Sequence, residues 1–121
     1  MKSINKICLS KLKRQGGRCF YCQLPMWVAQ KDSEVSAKIA PWQLQCTAEH
    51  LIARCDGGSN DPDNIVAACR FCNMTRHRSK RPKSPKSYLA FVRRRMVAGR
   101  WLAHFVGTAL GDPKFQRPVF G

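Results

Sequence analysis

AEHLIARCDGGSNDPDNIVAACRFCN, residues 48–73, sets an acid and a histidine ahead of a glycine-rich loop, then a short apolar run, then two cysteines at the spacing of a turn. Just upstream, residues 42–48 (WQLQCTA) alternate apolar and polar side chains, the period of a half-buried strand that leads into Glu49-His50. Residues 56–64 are dense in turn formers, and Ile65-Val66-Ala67-Ala68 reads as a second short strand closed by Cys69 and Cys72. Asn73 opens a predicted short helix, NMTRHRSK, which stops before Pro82 because proline restricts its predecessor and cannot join the helical hydrogen-bond ladder. Strand, loop, strand, helix is the order obtained, and it makes the fold class α+β.

Outward from this stretch, Cys19-x-x-Cys22 repeats the spacing of Cys69-x-x-Cys72. Each pair puts two thiolates on a tight turn whose backbone amides can also bond sulfur, and four thiolates complete a tetrahedral Zn²⁺ shell. Two such pairs in a chain with an odd seven cysteines favour metal over disulfides, and a reduced, cytoplasmic compartment over an exported one. A closed four-sulfur shell leaves no open position for water or substrate, so this zinc is expected to be structural. Cys8, Cys46 and Cys55 have no partner at ligand spacing and receive no function. A simple zinc ribbon does not explain the chain, because 46 residues, 23–68, separate the two pairs, against about 15 to 20 in such modules.

The flanks are helical. Ile4, Ile7, Cys8 and Leu12 recur at helical spacing, which predicts an amphipathic helix over 3–15 ended by Gly16-Gly17. Residues 29–41 have the composition of a loop insertion, and 79–86 form a basic linker. A second helix is predicted over 87–104, with Leu89, Val92, Met96 and Ala103 on one face, and the Gly- and Pro-rich tail 107–121 reads as extended. The chain thus divides into an N-terminal helix and turn (1–18), a core (19–78) carrying the insertion 29–41, and the basic linker, C-terminal helix and tail (79–121). A core this small needs a staple.

Twenty-two Lys and Arg against seven Asp and Glu give a net charge of +15, and from residue 65 onward 13 cations face Asp112 alone. Four thiolates and a dication lower that total only slightly, so the chain has the profile of a polyanion binder. A membrane partner is not expected: no lipidation motif or lipid-type helix accompanies the charge, and the longest apolar stretch, 96–110, is broken by Arg100 and His104. It also falls short of the roughly 20 residues of a membrane span. The N-terminus lacks the apolar core and cleavage site of a secretory signal. Arg70, Arg76, Arg78, Lys80, Arg81, Lys83 and Lys86 fall within 17 positions and are the candidates for holding a phosphate backbone. No module that reads base edges is visible.

The run 48–73 resembles the motif of the HNH, or ββα-metal, endonuclease family, whose pattern is acid-His, a Gly-Gly loop, an Asn, and a His or Asn just after the last C-x-x-C; the likeness covers residues 19–78. It implies a small zinc-stapled ββα-metal domain with flanking helices, acting as a metal-dependent DNA endonuclease that leaves 5′-phosphate and 3′-hydroxyl ends. Carried over position by position, it makes His50 the general base, Asn64 the residue that pins the loop between the strands, and Glu49 and Asn73 ligands of one catalytic divalent ion. Glu49 stands where the family usually has Asp, and Asn73 where it usually has His. That is an H-N-N version, similar to the endonuclease VII-like branch.

The chemistry asks for these residue types on its own account. A water that attacks a phosphodiester must lose a proton, and a neutral imidazole takes it at physiological pH. A carboxylate and an amide carbonyl favour hard ions, Mg²⁺ or Mn²⁺. His77, four residues after Asn73, shares its helix face and is a candidate third ligand or phosphate contact; an exposed histidine in a basic run is the equally weighted alternative. Strict alternation points Glu49 and His50 to opposite sides of their strand, so both can serve one site only if the strand bends there. A catalytically silent zinc module that binds DNA or RNA shares every charge argument, and Glu49-His50 with Asn73 separates the two readings. A monomer or a homodimer fits equally well.

Overall fold

The computed structural model describes residues 3–29 and 40–103. The centre of the insertion expected at 29–41 and the tail expected at 107–121 lie outside the described residues. No helix among the described residues is long and apolar enough to cross a membrane.

The first helix, α1, runs Ile4–Arg14, with Ser3 as N-cap accepting from the Lys6 amide and Lys11, Lys13 and Arg14 in the last turn, where cations meet the negative end of the helix dipole. Gly16 and Gly17 sit at φ of 67° and 78°, the left-handed turn that ends the helix. The alternation at 42–48 predicted a strand four residues too early. Trp42–Leu44 is a 3₁₀ turn that closes on Pro41, and the strand β1 is Cys46–His50. Residues 26–28 run beside its start, Trp27 exchanging hydrogen bonds with Leu44 and Cys46. Glu49 and His50 are therefore ladder residues of β1 itself.

The strand β2, Ile65–Cys69, pairs antiparallel with β1 in the register Cys46↔Cys69, Thr47↔Ala68, Ala48↔Ala67, Glu49↔Val66 and His50↔Ile65. All five β2 residues are buried. α1 packs on this sheet and reaches Cys46 through Cys8, whereas the helix α2 engages Thr47 and Glu49, the residues that alternate to the other side. α2 is Arg70–Arg78; it starts three residues before the predicted Asn73 because Cys69 caps it, its sulfur accepting from the Cys72 amide. The last helix, α3, is Pro85–Val97: Ser84 caps it, Pro85 fits its first turn, and Gly99 at φ 71° turns the chain away. Ala103 is therefore beyond the helix. Trp101 joins the core in its place, with Tyr21, Leu24, Leu44, Tyr88 and Val92 packed around the four cysteines.

A two-stranded sheet has two outer edges, and side chains occupy both. The Gln15 amide group mimics a strand against Ala67, accepting from its N–H at 3.0 Å and donating to its carbonyl at 2.8 Å. Along β1, the Cys46 N–H donates to Trp27, while the carbonyls of Ala48 and His50 accept from Asn73 and Arg76.

The loop between the strands is tight. A Cβ on Gly58 would lie 1.7 Å from the Ile52 carbonyl oxygen, whereas one on Gly57 meets open space. Gly58→Ala is expected to cost about 1–3 kcal/mol or more through overpacking against fixed backbone. Gly57→Ala carries only the φ penalty of about 1–2 kcal/mol. Urea unfolding of both variants checks the order; equal midpoints would show that the loop yields freely at Gly58.

Candidate active site and metal centres

Four sulfurs converge where the turn at 19–22 meets the start of α2. Cys19, Cys22, Cys69 and Cys72 are buried, with their sulfurs all within 4.8 Å of one another. The Cys22–Cys69 separation of 3.8 Å equals the tetrahedral edge of about 3.8 Å that a Zn–S length near 2.3 Å implies. Amides bond the sulfurs: Tyr21 and Cys69 donate to Cys19, Cys72 to Cys69, and the Trp101 ring N–H to Cys72. Burial pushes the Cys22 and Cys72 thiols up. At Cys19 burial is outweighed by hydrogen bonds from the other three cysteines and an amide, which pull its thiol well below the ordinary value. The cluster has the geometry and chemistry to hold zinc, with no side left open.

A second thiol pair went unread in the sequence. Cys8 of α1 and Cys46 of β1 lie 38 positions apart, yet their sulfurs are 3.6 Å from each other. Cys46 pulls the Cys8 thiol down and is itself pushed up by it. Cys55 is exposed.

Glu49 is the most enclosed charged residue described, at 1% exposure. Its Oε2 accepts from the Tyr21 hydroxyl and from Arg76 Nη1, both at 3.2 Å, while Oε1 lies 2.7 Å from His77 Nε2. His77 is the outward member of the group, its side chain 30% exposed. Asn73 donates through Nδ2 to Thr47 Oγ1 and to the Ala48 carbonyl. Its orientation follows, because the Thr47 hydroxyl is already donating to Ala68 and a carbonyl only accepts, so the Asn73 oxygen is the end without such a partner. One carboxylate oxygen, one imidazole nitrogen and one amide oxygen thus come from β1 and one face of α2. Those donor types suit a divalent cation once His77 Nε2, here the hydrogen-bond partner of Glu49 Oε1, gives up its proton.

His50 belongs to a different neighbourhood. Its Nε2 is 2.8 Å from Asn60 Oδ1 in the loop, and no hydrogen bond joins it to Glu49, Asn73 or His77. With Asn60 Oδ1 accepting, Nε2 carries the ring proton and Nδ1 is the basic nitrogen. Asn64, 8% exposed, ties the two ends of the loop: Oδ1 accepts from the Ile52 amide, and Nδ2 donates to the carbonyls of Ile52 and Ser59.

Arg76 corrects an expectation. It was counted among the phosphate-holding cations, but it is 6% exposed and its guanidinium is engaged inside the protein. Besides Glu49, it donates to the carbonyls of His50, Leu51 and Lys83, so it clamps the end of β1 to α2 and to the linker. Arg70, Arg78, Lys80, Arg81, Lys83 and Lys86 are exposed, with Arg70 over the Trp42 ring and Lys83 over Phe91. Sequence reading also missed Tyr21 and Asn60. The available signals were a large polar aromatic between two cysteines of a buried turn, and an Asn in the loop that follows a candidate base.

No curated protein and no solved structure matches the chain. Residues 32–79, which contain β1, the loop, β2, all of α2 and only the second cysteine pair, match a family model described as HNH endonuclease.

Proposed function

We propose that this chain is a metal-dependent DNA endonuclease, with zinc in the cysteine cluster and Mg²⁺ or Mn²⁺ beside Glu49. One observation carries the reading: consecutive residues of β1 face different chemistry, Glu49 meeting Arg76 and His77 of α2 while His50 turns to the loop at Asn60. Displacement at phosphorus is in-line, so the group that activates water and the group that receives the leaving oxygen belong on opposite sides of the phosphate. Opposed side chains diverge from a strand, so both groups reach one phosphate only where β1 ends at His50 and the chain turns into the loop.

In this reading His50 Nδ1 takes a proton from water. The water oxygen bonds to phosphorus, the bond from phosphorus to the 3′-oxygen breaks, and 5′-phosphate and 3′-hydroxyl ends result. Glu49 Oε1, Asn73 Oδ1 and His77 Nε2 would hold the divalent ion, which supplies positive charge for the phosphate and the departing oxygen. Asn60 fixes the His50 ring, and Asn64 fixes the loop that carries Asn60. The test is a panel of plasmid, junction and single-stranded DNA incubated with Mg²⁺ or Mn²⁺. Cleavage, as nicks or double-strand cuts, is expected, and its absence across the panel overturns the proposal.

A second reading is favoured by one feature, the internal ion pair of Glu49 with Arg76. It makes Glu49 architectural and the chain a silent nucleic-acid module. Both readings use the same exposed cations. If all six engage phosphates, the slope of log affinity against log salt is expected near −5, since each contact contributes about −0.9 on duplex DNA. Arg76→Met should leave that slope unchanged in a folded protein, because Arg76 is internal. A slope lowered by a full contact would put its guanidinium on the backbone.

A further inference from the structure

Tyr21 lies in the turn between Cys19 and Cys22 and is fully buried. Its backbone N–H donates to Cys19 Sγ at 3.4 Å, and its hydroxyl donates to Glu49 Oε2 at 3.2 Å. One residue therefore bonds a sulfur of the cysteine cluster at its root and the candidate ion-binding carboxylate at its tip. The ring between them is fixed edge-to-face on Phe20 at 5.1 Å and on Tyr88 at 4.8 Å. Facing a carboxylate, which only accepts, the phenol is the donor of this pair.

The two oxygens of Glu49 are not equivalent. Tyr21 and Arg76 both donate to Oε2, whereas Oε1 faces His77. The terminal torsion of a glutamate is broad and nearly two-fold, so partners and not intrinsic preference set which oxygen points where. Arg76 alone does not set it, because the same nitrogen also serves the His50 carbonyl.

We propose that Tyr21 is a positioning residue that turns Glu49 so that the single oxygen Oε1 is offered to the ion beside His77, which links the cysteine cluster mechanically to ion affinity at the active site. This rests on the reading of Glu49 as an ion ligand. Outer partners of metal ligands typically carry about 10- to 100-fold in metal affinity.

The test is Mn²⁺ binding to the full chain without DNA, followed by electron paramagnetic resonance of the free ion, for wild type and Tyr21→Phe. The variant is expected to bind Mn²⁺ about 10- to 100-fold more weakly, with zinc content and KM for DNA unchanged. Tyr88→Phe is the control: it removes a hydroxyl that donates to the Cys72 carbonyl in the same core, so it should lower stability without moving Mn²⁺ affinity. Wild-type affinity in Tyr21→Phe overturns the proposal, as does equal weakening in the two variants. Glu49→Gln separates this from the underlying reading. If Glu49→Gln loses Mn²⁺ and Tyr21→Phe does not, positioning alone is wrong; if Glu49→Gln binds like wild type, the ligand role of Glu49 falls and takes this inference with it. A variant-free measurement stands beside these. The chain has two tyrosines, so with ¹³C at tyrosine Cζ the Tyr21 signal is readily assigned; it should shift with Mg²⁺ at the midpoint of ion binding, and a signal indifferent to the ion overturns the proposal.

Discussion

Cys69→Ser is expected to leave the chain without a cooperative folded state. Cys69 ends β2, caps α2 through its sulfur, and donates its N–H to Cys19. It is also one of the four sulfurs of the buried cluster. A structural zinc site contributes roughly 10–16 kcal/mol of binding free energy, against a net stability of only about 5–15 kcal/mol for a typical domain. The two quantities are of the same size, so weakening the site by one ligand takes up most of what the fold has in reserve. Chelation of the wild-type metal should have the same result. Cys55→Ser, at an exposed position, is the matched control and should melt like wild type. Far-UV circular dichroism with zinc analysis reads both variants, and a Cys69→Ser protein with an unchanged melting temperature would sink the structural assignment.

His50→Ala is expected to lower the cleavage rate by about 10²- to 10⁴-fold, the range of general-base assistance. The loss should fall on kcat with KM for DNA unchanged, because in the proposed mechanism the base acts in the transition state and the exposed cations hold the substrate. Little stability should go with it, since the imidazole makes one side-chain hydrogen bond, to Asn60. Zinc content and DNA affinity are then the internal controls. Equal cutting by wild type and variant removes His50 from the mechanism.

What could be read from the sequence divides along a physical line. The C-x-x-C pairs were readable because two ligands on one turn are a local arrangement, and the four buried sulfurs do converge. The α+β architecture was readable from periodicity, and the two strands and flanking helices follow it. Alternation also separated Glu49 from His50 correctly in direction. Tertiary contacts account for the misses. Trp27 pairing beside Leu44 and Cys46 moved the strand toward its C-terminal end. Arg76 stands in a run of look-alike cations, and only its place one turn after Cys72 on α2, toward Glu49, marks it as internal. Cys8 and Cys46 meet because α1 folds back on the sheet, which no local pattern encodes.

The side chains that occupy the sheet's two outer edges bear on how the protein behaves when crowded. A polyanion with exposed cations bound along it packs many copies at high local concentration, the condition under which bare strands template one another into fibrils. Gln15 on one flank, and Asn73 with Arg76 on the other, already satisfy ladder groups that an incoming strand would need. If copies line up along a nucleic acid, as the proposed function implies, these occupied edges oppose the spread of that proximity into β-aggregation.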